Sequence, residues 1–213
     1  DVALDNLFSG PEATGYATGT TAYILHLLLN NDWKPPRVLG LNLILEYDTT
    51  PRTARVRRVT LDRYRARPGD TVRVSVVLRP YRGDDLVVQR EVTVPAGTPA
   101  GPLNLIVGGS LAVSRPSAGQ EPLVPADLEQ FIWLVNNLRR NDHVFVLATR
   151  EDDGLFMDGA RLPNLPPTAA SVLTRPASRG NVTAVRERGV FEERVPTEFA
   201  VEGLARIQLQ VDR

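Results

Sequence analysis

The sequence predicts a mainly β protein with accessory helices, built around an antiparallel β-sandwich. Three observations carry that expectation. Val72, Val74, Val76 and Leu78 alternate with Arg73, Ser75 and Arg79, the period of a strand with one buried face. Similar apolar stretches recur at roughly 8–12-residue spacing between Gly/Pro clusters, as in a sandwich. One segment only, from Asp127, carries a clear helical stripe: Leu128, Phe131, Ile132, Val135 and Leu138.

Along the chain, GPEATGYATGTT at residues 10–21 reads as a Gly-rich turn leading into a helix over residues 20–30, with Thr18 or Thr20 as its cap. Tyr23, Ile24, Leu25, Leu27, Leu28 and Leu29 make that helix apolar nearly all round. It should therefore be buried on most sides or packed against a partner, and Pro35-Pro36 end any continuation. In VLGLNLILEY, Leu39, Leu41, Leu43, Leu45 and Tyr47 alternate with Gly40, Asn42, Ile44 and Glu46, which predicts a half-buried strand. TARVRRVTL alternates less cleanly but carries Val59 and Leu61. A Pro-Gly-Asp turn precedes the valine strand. Leu86, Val88, Val92 and Val94 follow it, and after PAGTPAGP come Leu103, Leu105 and Val107.

The helix near residues 126–140 should open on a capping box, with the Asp127 carboxylate taking an orphan N–H and Gln130 reaching back. Arg139 and Arg140 would sit in its last turn, where cations suit the dipole. Its stripe is expected to dock on the β-core, so truncating Phe131 should cost about 3–5 kcal/mol. HVFVLA is then a strand, REDDGLFMDG a hairpin with Asp-Gly turns, and LPNLPPTAASVLTRP a short helix or loop. Residues 175–190, rich in Arg, Gly and Ser, read as a mobile loop. Phe199 to Val201 and Ala205, Ile207, Leu209 and Val211 supply closing strands. Two regions result: a helical N-terminal segment, residues 1–36, continuing an upstream region, and a β-sandwich, residues 37–213, with an inserted helix.

Composition excludes several functions. The 25 basic residues balance the 25 acidic ones, which gives no electrostatic reason to expect nucleic acid or an anionic membrane. Lys34 is the only lysine; arginine suits bidentate carboxylate pairing, but GC-rich coding is the preferred explanation of the bias. Cysteine is absent, so disulfides, thiolate metal sites and cysteine catalysis are out. No apolar run reaches the ~18 residues of a membrane span. The start at Asp1, without methionine or leader, reads as a mature or excised piece of something longer.

The motif search is mostly negative. Gly10 and Gly15 have phosphate-loop spacing, but Tyr16-Ala17 stand where Lys and Ser or Thr are needed. No cofactor is expected. His26 reads as a satisfied core histidine and His143 as a surface one, too few and too far apart for a zinc site. Gly108-Gly109-Ser110-Leu111-Ala112 fails the nucleophile elbow at its last position. Ser9 sits in a loop with no evident base. Glu151, Asp152, Asp153 and Asp158 offer hard oxygens for calcium without EF-hand spacing, so no metal should be needed for folding. No catalytic, cofactor-binding or metal residue is assigned, and Trp33 and Trp133 are too few for a sugar-stacking platform.

The stretch RARPGDTVRVSVVLRPYRGDDLVVQREVTVPAGTPAGPLNLIVGG, followed by LVPADLEQFIWLVNNLRRND and LPNLPP, resembles the C-terminal region of SpoIVB-like serine peptidases (family S55) of soil bacteria. The likeness covers roughly residues 36–213. It implies a non-catalytic, immunoglobulin-like accessory region of an exported or envelope protein, acting through protein contacts. That family's Gly-Met-Ser-Gly-Ser-Pro-type serine motif lies in a preceding domain and has no counterpart here. A stand-alone module for carbohydrate or envelope polymer is the alternative.

Overall fold

The computed structural model describes residues 1–114, 125–157, 160–162 and 182–213. The chain is mainly β, with two curled sheets and a few helices. The first sheet holds β1 (Thr53–Leu61), β3 (Thr71–Pro80), β4 (Leu86–Thr93) and β9 (Ala200–Glu202), in the order β4-β3-β1-β9. The second runs β2 (Arg65–Ala66), β10 (Leu204–Val211), β5 (Gly101–Gly108), β6 (His143–Met157), β7 (Ala160–Leu162), with β8 (Val182–Pro196) also on β6. One core lies between them.

Alternation builds that core as expected. Val72, Val74 and Leu78 are fully buried and Val76 nearly so, while Arg73 and Arg79 are exposed. Leu103, Leu105 and Val107 of β5 and Val144, Val146 and Ala148 of β6 face them from the second sheet. The uneven pattern of β1 has a local cause. Val56 pairs with Leu78 and Arg58 with Val77, so Arg57 is an extra residue. Such a bulge reverses the inward parity: Ala54 and Val56 point in before it, Leu61 after it. Gly69, at φ +92°, makes the Pro-Gly-Asp turn into β3; a side chain is strained there.

Several expectations are corrected. Pairing is not wholly antiparallel: β1 with β9 and β10 with β2 are short parallel contacts. The Asp153-Gly154 dipeptide is no turn. It lies within β6, at a register irregularity opposite β8; Asp158 and the second Asp-Gly turn lie outside the described residues. Of the expected mobile loop, residues 182–190 belong to β8, and the rest, like most of LPNLPPTAASVLTRP, lies outside the described residues.

The helices differ most. α1 spans Ala13–Leu29, so most of the supposed Gly-rich turn is helical. Glu12 holds the cap position without a side-chain bond, and Thr18 Oγ1 instead donates back to Thr14 O at 2.8 Å. Only Ile24 and Leu28 are buried; Tyr23 and Leu29 are exposed. A five-residue helix, α2 (Ser110–Ser114), covers Phe145 and Ile106 on the outer face of the second sheet, through Val113. α3 spans Leu128–Asn136. Asp127 Oδ1 accepts from Gln130 N at 2.7 Å, while Gln130 Oε1 accepts from Ala126 N at 2.6 Å, one residue earlier than a capping box requires. Arg139 and Arg140 fall beyond its end. Its stripe docks on α1, not on the β-core: Val135 packs with Ile24 and Leu28, with Leu128, Phe131 and Ile132 half-buried around them and Leu138 exposed. Two short apolar stripes thus cover each other, and neither helix needs the sheet.

Residues 38–47, expected as a strand, form none. Leu39 is 86% exposed and Tyr47 82%. A strand needs a neighbour for its N–H and C=O groups, and among the described residues none bonds to the backbone of residues 35–47.

Candidate functional site

The densest polar constellation is the corner between α3 and β6, RRNDH at residues 139–143. Arg140 grips the Asp142 carboxylate with two nitrogens, Nε to Oδ1 at 3.0 Å and Nη2 to Oδ2 at 2.6 Å. It also pairs with Asp5. His143 Nδ1 lies 2.6 Å from Asp142 Oδ1. Burial opposes the charge on Asp142 and is the largest single influence on it. Arg140 and His143 together nevertheless hold its carboxyl below the ordinary value, because each offers N–H groups to the ionised form.

Backbone contacts bind the corner to the rest of the chain. Asn141 N donates to Asn6 Oδ1 at 2.6 Å, and Asn141 O accepts from Val201 N at 2.8 Å. Asp142 O accepts from Thr197 N at 2.7 Å and Thr197 Oγ1 at 3.0 Å. Arg139 reaches Glu192 at 2.6 Å and Ser114 Oγ at 3.0 Å, lying over the Phe145 ring. Upstream, Asn136 accepts from Ala3 N at 2.9 Å and donates to Asp1 O at 3.1 Å. The N-terminal segment, α2, β8 and β9 therefore converge on one loop.

Chemically, an Asp–His pair is two-thirds of a relay; the third part is a hydroxyl on the other imidazole nitrogen. Among the described residues no hydroxyl bonds to His143. Ser110 is buried and donates to Asn141 Oδ1. Ser9 Oγ is shielded from solvent and makes no hydrogen bond among the described residues. The two histidines exchange their expected places: His26 is exposed, with Nδ1 3.1 Å from Asn30 Nδ2, whereas His143 is half-buried. No group of three metal-ligating side chains occurs among the described residues; the side chains of Asp152, Asp153 and Asp158 lie outside them. No helix of the described residues is long and apolar enough to cross a membrane.

Several arginines pair with a carboxylate through two nitrogens. Arg65 pairs with Asp212 through Nε at 3.0 Å and Nη2 at 2.8 Å, and Arg52 with Asp48 at 2.9 and 2.6 Å. Planar two-point pairing is what lysine lacks. Sequence reasoning missed the corner. Its signal was the run Arg139 to His143, five consecutive side chains that hydrogen-bond, placed between a helix and a buried strand.

The second feature is the exposed segment. Val38, Leu39, Leu41, Leu43, Ile44, Leu45 and Tyr47 are each at least 50% exposed. These side chains follow one another along residues 38–47, so their exposure is consecutive rather than scattered. In comparison with known proteins, no family model matches the chain, and no curated protein and no solved structure matches it.

Proposed function

We propose that this chain is a non-catalytic, immunoglobulin-like β-sandwich region that acts through protein–protein contacts, as an accessory part of an exported SpoIVB-like serine peptidase. The observation that carries the reading is residues 37–47: a strand-patterned, apolar, unpaired segment leading directly into β1. An extended segment of this kind contributes affinity by strand pairing and specificity by its alternate side chains. The polar corner supports a positioning role. It ties residues 1–6 to β6, β8 and β9 and so fixes how the N-terminal region leaves the sheets.

The two serines singled out by the sequence support the non-catalytic reading. Ser110 donates to Asn141, and Ser9 Oγ has no hydrogen-bond partner among the described residues; covalent catalysis needs a nucleophile, a base in hydrogen-bond reach and an oxyanion site together. The reading is tested by two measurements. A fluorophosphonate probe should label no serine of this chain, and the coding sequence upstream of Asp1 should carry a Gly-Met-Ser-Gly-Ser-Pro-type motif. Stoichiometric labelling of Ser9 or Ser110, lost on substituting His143, would make the chain itself an enzyme. An upstream sequence without the serine motif would detach it from peptidases.

A further inference from the structure

The exposed segment has a symmetry that names its partner. Its strand pattern is bounded by Pro36, which lacks an N–H, and by the bend at Asp48, where the carboxylate accepts from Thr50 N at 2.9 Å. Between these bounds lie residues 37–47, with Asn42 at the midpoint. Reversed about Asn42, the leucine positions of the segment coincide, while Val38 falls opposite Glu46. Leu39 falls opposite Leu45, Leu41 opposite Leu43, Gly40 opposite Ile44, and Arg37 opposite Tyr47. Odd residues stay with odd ones, so all leucines share one face, as period-2 geometry requires.

Charge selects the antiparallel direction. Within the segment the positive group, Arg37, lies at the N-terminal end and the negative one, Glu46, at the C-terminal end, while the flanking Asp48 is already held by Arg52. Parallel pairing would set like against like at both ends, whereas antiparallel pairing sets opposite charges together at both. We propose that residues 37–47 pair antiparallel with the same residues of a second copy of this chain, on a two-fold axis through Asn42. The inference rests on the protein-contact reading above and identifies its partner.

Strand pairing joins the two backbone edges and leaves Leu39, Leu41, Leu43, Leu45 and Tyr47 of both copies on one shared apolar face. A lone two-stranded ribbon is marginal until its apolar face is covered. Tyr23 and Leu29 of α1 and Trp33 just beyond it are exposed on the N-terminal side of the segment. The contact is isologous, so it closes at two copies.

Cysteine crosslinking tests the register, because the chain has no cysteine of its own. Residues facing each other across an antiparallel pair have Cα atoms about 4.5–5.5 Å apart, within disulfide reach. Asn42→Cys faces itself at the axis. Val38→Cys would face Glu46, leaving the two thiols eight residues apart along the ribbon, about 27 Å. Under mild oxidation the Asn42→Cys chain should form a covalent dimer on the order of tenfold or more faster than Val38→Cys. Adding Leu43→Lys to Asn42→Cys should remove that advantage, while Val87→Lys, on the exposed edge strand β4, should leave it. Equal rates for the two cysteines, a monomer by sedimentation equilibrium of the unmodified chain, or a dimer lost with Val87→Lys and kept with Leu43→Lys would each overturn the pairing. Those outcomes leave the non-catalytic reading intact, since probe labelling decides it separately.

Discussion

Gly109→Ala should destabilise the protein through a single backbone collision. Gly109 joins β5 to α2, and its Cα faces β9 so closely that a Cβ would stand 1.9 Å from Val201 O and 2.7 Å from Val201 C. Both contacts are to backbone, so no rotamer change relieves them. β9 would have to shift by more than an ångström, and it is held by the Val201 N to Asn141 O bond at 2.8 Å and by pairing with β1 at Ala54. Overpacking of this kind costs about 1–3 kcal/mol, and a lost backbone hydrogen bond adds about 1 kcal/mol. The expected loss is about 2–4 kcal/mol, or roughly 4–16 °C in Tm for a chain of this size. Urea unfolding followed by tryptophan fluorescence measures it. Gly15→Ala is the control: it lies in α1 with nothing within 4 Å of its Cβ position, and should stabilise by up to about 1 kcal/mol through helix propensity. A Gly109→Ala midpoint matching the wild type would refute the close approach of β5 and β9.

Two further predictions concern the helices and the polar corner. Phe131→Ala should cost about 1–2 kcal/mol, below the range for a fully buried ring, because Phe131 is half-buried between α3 and α1; a loss above about 3 kcal/mol in the same unfolding assay would place the ring in the β-core instead. Asp142→Asn should cost about 1–3 kcal/mol at neutral pH by removing charged hydrogen bonds. The depressed carboxyl of Asp142 contributes stability that is present above the unfolded carboxylate value of about 3.9 and is lost as pH falls through the lower folded value. The gap between wild type and Asp142→Asn should therefore close in acid, and a gap constant down to pH ~2 would show that the charge is not what matters.

The core was legible because one face of each strand is dry. Val72 to Leu78 and Leu103 to Val107 announce their orientation by alternation alone, since burial on one side and water on the other is a strictly local rule. β1 was half legible: the inserted Arg57 breaks a pattern that makes sense only beside the partner strand β3. Residues 38–47 show the limit of the same rule. Alternation specifies which side chains share a face but not whether a neighbouring strand is present to accept the backbone. The stripe of α3 was equally readable as a stripe, yet its receiver is another helix, α1, rather than the sheet. The Asp142 corner was half legible: the run Arg139 to His143 is local, but its contacts with Asp5, Asn6 and Thr197 come from distant parts of the chain.

Amide hydrogen exchange across residues 38–47 tests most directly whether this chain works by strand pairing. Measured by peptide mass spectrometry over a dilution series, these amides should be protected at high protein concentration and lose protection on dilution, while those of β3 stay protected throughout. The coupling arises because the protecting partner is another molecule, present by mass action. Exchange of residues 38–47 at the rate of an unstructured peptide at every concentration would contradict the account, and protection independent of concentration would locate the missing strand partner within the same chain.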